Sequence, residues 1–217
     1  MNNADFATAR RAMVDTQIAT AGVNDPPLLS VFRQVPREIF VPASRRDLAY
    51  SDAHHPLGNG RFLAAPAVFA KLLQLARIEA TDRVLDCWPG TGYSTAIIAG
   101  LAREVVALEP DAALAQTCRA KLEALDIGNG RVVNGDETAP NINTFNVIMV
   151  EGAIVEVPHD LLDKLAPGGR LVCLLRRGPV GVATVHEKTD TGFTTQTSFN
   201  ANLPGVGSAS PPEQFVF

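Results

Sequence analysis

Two glycines and a set of acids carry the chemistry most legible in this sequence. Val84-Leu85-Asp86-Cys87-Trp88-Pro89-Gly90-Thr91-Gly92-Tyr93 reads as an apolar strand, a glycine turn and the opening of a helix. Glycine at 90 and 92 lets the backbone turn sharply and approach a ligand with no Cβ in the way. Glu109 closes the next strand, Glu104 to Leu108, and Asp136 follows the third, Gly130 to Val133. Glu151 follows the fourth, Phe145 to Val150, and joins the residues expected around the cofactor. Ligands of doubly wound sheets bind beyond the carboxyl ends of the strands. There Glu109 would accept from ribose hydroxyls and Asp136 from an adenine amino group.

A dinucleotide would require G-x-G-x-x-G, with glycine at 95, where the chain has Thr95. Asp86 lies poorly beside a pyrophosphate and well beside the amino group of a methionine moiety. S-adenosylmethionine is therefore the expected cofactor. The plainer alternative makes Gly90 and Gly92 a tight turn only, with Glu109 and Asp136 as solvated loop acids. The ordered set of acids weighs against it.

The elements that must hold these residues follow from the hydrophobic pattern. Helices are expected over Asp5–Ala21, from Pro26, and over Ala67–Ile78, Tyr93–Leu101, Asp111–Leu125 and Asp160–Leu165. Ser51–Ala65, with Pro56, Gly58 and Gly60, reads as a loop. Strands alternate with helices from Arg83 onward, which implies βαβ units and a mainly parallel sheet. Pro167-Gly168-Gly169 is expected to turn into a fifth strand, Arg170–Leu175. Two more, Val182–Glu187 and Phe193–Phe199, have too short a turn between them for a crossover, so they must be antiparallel neighbours.

Of the 217 residues 46% are hydrophobic and 19% charged, the balance of a globular chain. The net charge is -4 and no basic block stands out, so neither a nucleic acid nor a membrane is expected as a partner. The polar N-terminus and the lack of a long apolar run point to the cytoplasm. Cys87, Cys118 and Cys173 lie far apart without metal spacing, which argues for buried free thiols and against a disulfide framework or a bound metal. His54 and His55 read as a surface loop pair.

Specific similarity lies elsewhere along the chain. Met13-Val14-Asp15-Thr16-Gln17-Ile18, Val35-Pro36-Arg37-Glu38-Ile39-Phe40-Val41-Pro42 and Leu48-Ala49-Tyr50-Ser51-Asp52 run in order ahead of Pro56-Leu57-Gly58-Asn59-Gly60-Arg61-Phe62-Leu63-Ala64-Ala65-Pro66. This resembles protein-L-isoaspartate O-methyltransferases, whose loop has the form P-I-G-x-G-Q-T-I-S-Q-P. The likeness resumes at Phe145–Val150 and Leu165–Val172 and covers roughly Met13 to Leu175. It implies a single S-adenosylmethionine methyltransferase domain over residues 1–217. A helical and acceptor-loop segment would run to 66 and a Rossmann-like core from 67, with an antiparallel strand pair closing a mainly parallel sheet. It also implies methyl transfer to the carboxylate of isoaspartyl residues in damaged proteins or peptides.

Two departures from the family pattern bear on function. Phe62 and Ala64 stand where the family has threonine and serine, so the hydroxyls that help hold the acceptor carboxylate are missing and isoaspartyl transfer is expected to be weak. Trp88-Pro89 replaces glycine and threonine. Pro89 biases Trp88 toward extended backbone, and the indole could cover the methionine end of the cofactor or fill its place. Three functions follow: an isoaspartyl methyltransferase, a methyltransferase with another acceptor, or a non-catalytic relative whose cofactor pocket is plugged by Trp88.

Overall fold

The computed structural model describes residues 2–136, 138, 144–178 and 180–206. Helix α1 (Asn3–Met13) starts in a capping box: the Asn2 side chain accepts from the N–H groups of Ala4 and Asp5, and Asp5 accepts from the Asn2 N–H. It runs on through one π turn, Val14–Ile18, and a short 3-10 turn, Ala19–Ala21, and stops at left-handed Gly22. The helix expected over Asp5–Ala21 therefore exists, with a widened turn from which Gln17 Nε2 donates to Tyr50 O at 2.8 Å. Helix α2 (Pro26–Gln34) is capped by Asp25.

The stretch expected as a loop holds a hairpin, β1 (His55–Gly58) paired with β2 (Arg61–Leu63). Its turn is Asn59-Gly60, and both residues have positive φ, 50° and 70°. That is the pairing two-residue hairpins prefer, because its twist matches that of the flanking strands. The Asn-Gly step overrode the proline and glycine count that suggested irregular chain.

After the hairpin come α3 (Pro66–Ala76), β3 (Arg83–Cys87), α4 (Tyr93–Ala99), β4 (Glu104–Glu109), α5 (Ala112–Ala124) and β5 (Gly130–Asn134). The chain continues through β6 (Phe145–Ile154), α6 (His159–Asp163), β7 (Leu165–Arg177), β8 (Val180–Thr189) and β9 (Gly192–Ala201). The main sheet has the order β5-β4-β3-β6-β7-β8-β9. Strands β3 to β7 run parallel, and β8 and β9 are antiparallel to their neighbours, as expected. Strand β7 begins five residues earlier than expected. The Pro167-Gly168-Gly169 stretch lies within it as a shift of register against β6 between Phe145 and Val147.

The central strands are buried on both faces, as parallel strands must be under helices. Val84, Val105, Val147 and Val172 face a cluster that includes Met13, Ile18, Phe32, Phe40 and Phe69 from the N-terminal segment and α3. Leu85, Val106, Ile148 and Leu171 face the other, which holds Trp88, Phe145 and Leu161. The N-terminal helices thus share one core with the sheet.

Candidate active site

Strand order reverses between β3 and β6, since β4 and β5 extend from one side and β7 onward from the other. The crevice beyond the carboxyl ends at such a point is where an α/β sheet takes a ligand. Cys87 pairs with Val150 at that edge, so the next residues on each strand, Trp88 and Glu151, border the crevice.

The glycine turn is fixed by close packing. Gly90 and Gly92 have φ of 61° and 94°. A Cβ on Gly92 would come within 2.5 Å of Cys118 Sγ, and one on Gly90 within 2.7 Å of Leu57 Cδ1. Trp88 corrects the sequence expectation: its φ is 60°, left-handed, although Pro89 biases it toward extended backbone. The backbone keeps a conformation suited to glycine. It is anchored by Trp88 N–H donating to Leu108 O at 2.9 Å and by Trp88 O accepting from Arg61 Nη2 at 2.5 Å. A non-glycine residue held there costs about 1–3 kcal/mol, offset in part by burying the indole in the second core cluster.

Three of the four acids face this crevice. Asp86 is fully buried; its Oδ2 accepts from Ser94 Oγ at 2.8 Å and Thr95 Oγ1 at 2.7 Å, and its Oδ1 has no partner. Burial pushes its carboxyl up to about 7; the two hydroxyls temper this, and the nearby Glu109 charge adds to it. Glu109 accepts from the N–H groups of Gly90, at 2.8 Å, and Asp111, at 3.1 Å. It also pairs with Arg61, Nη1 to Oε1 at 2.7 Å and Nη2 to Oε2 at 3.0 Å. Glu151 is half-buried, with an Oε1 sealed from solvent and unpartnered. Burial raises its carboxyl well above the usual range, and the Asp86 charge raises it further, against an opposing pull from Arg61. Asp136 stands apart: it is exposed, and its Oδ1 accepts from Thr138 N–H and Oγ1, which hold it below the ordinary carboxylate value.

The hairpin closes the crevice from above. Leu57 lies over Gly90, Asn59 Nδ2 donates to Asp111 Oδ2 at 2.8 Å, and Arg61 reaches Glu109 and Trp88. Phe62 and Ala64 line a cavity of about 10 Å³ with Trp88, Tyr93, Ser94 and Glu151. Phe62 is 38% exposed and Ala64 half-buried, so the wall they form is apolar.

Arg61, the cation of the crevice, was missed by the sequence reading. The signal was present, because Arg61 stands at the glutamine of the family's loop pattern. Arg37 was also missed as more than a motif letter. It is fully buried, donates from Nε to Ala49 O at 2.7 Å and from Nη2 to Ala64 O at 2.6 Å, and lies 4.8 Å over the Tyr93 ring. It ties the segment carrying Ala64 to the body. Tyr93 packs against Phe32, Phe40 and Phe69.

The histidine pair does not lie free on the surface as expected. His54 Nδ1 accepts from Ala65 N–H at 2.9 Å, so in the neutral ring the proton sits on Nε2, 2.8 Å from Asn202 O. His55 is buried and lacks hydrogen-bond partners on both nitrogens, and desolvation lowers its pKa to about 4. Cys87, Cys118 and Cys173 are buried, and none of them forms a disulfide.

A family model described as Protein-L-isoaspartate(D-aspartate) O-methyltransferase (PCMT) matches residues 8–202. Protein-L-isoaspartate O-methyltransferase 1 of Rhodopseudomonas palustris is 40% identical over 169 residues, 77% of this chain and 69% of that one. The protein-L-isoaspartate O-methyltransferase of Methylorubrum extorquens is 36% identical over 215 residues, 95% of this chain and 93% of that one. Among solved structures, one from Plasmodium falciparum, described as a protein-L-isoaspartate O-methyltransferase in complex with S-adenosyl-L-homocysteine, superposes with a TM-score of 0.79. That match spans 91% of this chain and 98% of the other at 19% identity, a likeness of fold.

Proposed function

Since the chain belongs to the protein-L-isoaspartate(D-aspartate) O-methyltransferase family, we propose that it transfers a methyl group from S-adenosylmethionine to the α-carboxylate of isoaspartyl residues in damaged proteins. The observation that carries the reading to this site is the convergence of Asp86, Glu109 and Glu151 with the glycine turn at the switch point of the sheet.

The residues present fit the cofactor. The unpartnered Asp86 Oδ1 suits a cationic amino group, and Gly90 and Gly92 keep the backbone open to close approach. Glu109 would take the ribose hydroxyls in exchange for Arg61, and Asp136 would accept from the adenine amino group. Trp88 would lie against the methionine end. The cofactor supplies an electrophilic methyl group on a sulfonium leaving group.

Little acid–base work falls to the protein. The acceptor carboxylate is already a nucleophile and the sulfonium would leave with its own electron pair, so no side chain of the crevice would need to take or give a proton. Catalysis is alignment and exclusion of water. The hairpin and the segment from Leu63 to Ala65, held by Arg37, supply both in this reading.

One observation favours a second reading, a non-catalytic relative: Arg61 already holds Glu109, and only about 10 Å³ is left beside Trp88. Calorimetric titration with S-adenosylmethionine separates the two. Binding, followed by radiolabelled methyl transfer to an isoaspartyl peptide, supports the enzyme; no binding at millimolar cofactor sinks it.

A further inference from the structure

Glu151 has the geometry of an acceptor contact as well as of a cofactor neighbour. It follows Val150 at the switch point and borders two small cavities, one shared with Trp88 and Ser94, the other with Leu203 and Pro204. Phe62 and Ala64 line both. Glu151 therefore lies between the glycine turn and the apolar wall against which an acceptor would rest. Its Oε1 is sealed from solvent and has no partner.

Charge decides the form it takes. The charges that act on the Glu151 carboxyl are those of Asp86, on β3, which raises it, and Arg61, on the hairpin, which lowers it. The guanidinium of Arg61 is already engaged by both oxygens of Glu109 and by Trp88 O. An ionised Glu151 would keep one oxygen sealed and unpartnered beside another acid, sharing a cation whose donors point elsewhere, and that is costly. Tyr93, on the same cavity wall, is kept neutral by burial. The neutral acid carries one O–H donor.

We propose that Glu151 holds the acceptor's carboxylate by donating a hydrogen bond from its carboxyl group, in place of the hydroxyls that Phe62 and Ala64 lack. The inference rests on the isoaspartyl reading above and names the group that makes it workable with an apolar wall. The proton stays on Glu151 throughout, because methyl transfer consumes none. An O–H donating to an ionised acceptor makes a short, charge-assisted bond. Ionisation of Glu151 removes the donor and sets a like charge against the acceptor, so transfer falls as pH rises through its titration.

Methyl transfer to an isoaspartyl peptide is measured against pH for wild type, Glu151→Ala and Glu151→Gln, with S-adenosylhomocysteine affinity determined alongside. The infrared difference between wild type and Glu151→Gln is recorded at neutral pH. Expected are a protonated-carboxyl band in wild type and a high-pH limb in its kcat/KM. Glu151→Ala should lose roughly tenfold or more in kcat/KM, mainly through the peptide's KM. Glu151→Gln, which keeps an N–H donor, should recover most of that loss and show no limb. An ionised Glu151 at neutral pH, or equal transfer by Ala and Gln variants, overturns the role while leaving the isoaspartyl reading intact. A matching loss of S-adenosylhomocysteine affinity in Glu151→Ala makes the residue a cofactor ligand and also overturns it. A protonated Glu151 in a protein that binds cofactor but transfers nothing to the peptide removes the isoaspartyl reading, and this role with it.

Discussion

Arg61 and Glu109 meet fork to fork, with both guanidinium Nη atoms on both carboxylate oxygens and side-chain exposures of 12% and 0%. The pair joins the tip of a hairpin to the end of a central strand, across the place where the family's cofactor reading puts a ribose. A bidentate pair this enclosed is rigid and must be exchanged as a unit.

Replacing Arg61 with alanine should therefore tighten cofactor binding. The free protein no longer has an internal partner on Glu109 to displace, and a positive charge beside the cationic cofactor is removed. A gain of roughly tenfold or more in S-adenosylmethionine affinity is expected, the worth of one charge-assisted hydrogen bond. Calorimetry on the Arg61→Ala protein checks it; weaker binding than wild type would show that Arg61 is itself a cofactor contact.

Glu109→Ala should act in the opposite sense and on stability too. It leaves Arg61 and the N–H groups of Gly90 and Asp111 without their acceptor. Breaking an enclosed pair by removing one member costs on the order of 3–5 kcal/mol. Urea unfolding should show that loss, and S-adenosylmethionine affinity should fall by much more than a factor of two.

Phe62→Thr with Ala64→Ser restores two hydroxyls to the wall of the cavity. Each hydrogen bond to a charged group is worth about 1.5–3 kcal/mol, so transfer to an isoaspartyl peptide should rise by up to about two orders of magnitude. Robust wild-type turnover left unimproved by the double change would mean that the wall already supplies enough donors.

Asp86 predicts a pH dependence of stability. Its carboxyl sits at about 7 when folded, against 3.8 for the free group, so below pH 3.8 both states hold the proton. As pH rises from there to 7 the unfolded chain loses that proton and the folded one keeps it, so stability falls, by on the order of 4 kcal/mol, and levels off above 7. Asp86→Asn removes this term and keeps an acceptor for Ser94 and Thr95. Measured by urea unfolding from pH 4 to 8, the variant should gain on wild type up to pH 7 and not beyond; a constant difference would show Asp86 ionised throughout.

Much of this site was legible in the residues, and what was not has identifiable causes. Val84-Leu85-Asp86 announced a buried strand ending in an acid, and the end of β4 placed Glu109 by the same logic, whereas Glu151, expected just after a strand, lies within β6, which runs on to Ile154. The hairpin was overlooked because Pro56, Gly58 and Gly60 outweighed the Asn59-Gly60 step in a segment only a few residues long. Arg61 stood within the family's loop pattern, but its partner did not, since only the fold brings position 61 onto position 109. Trp88 was misjudged because the rule for a residue before proline is statistical, whereas bonds to Leu108 and Arg61 fix it locally. Asp136 was placed by its position after a strand, and nothing in the sequence said that Thr138 would engage its carboxylate.

Trp88 has one more consequence. It is the sole tryptophan of the chain, 5% exposed, and it borders the candidate crevice. The protein therefore carries a single intrinsic fluorophore where a ligand would enter, within reach of the ion pair that entry would rearrange. Its emission, excited selectively over the two tyrosines, gives an optical record of crevice opening without any label, and stopped-flow mixing would time the departure of Arg61 from Glu109.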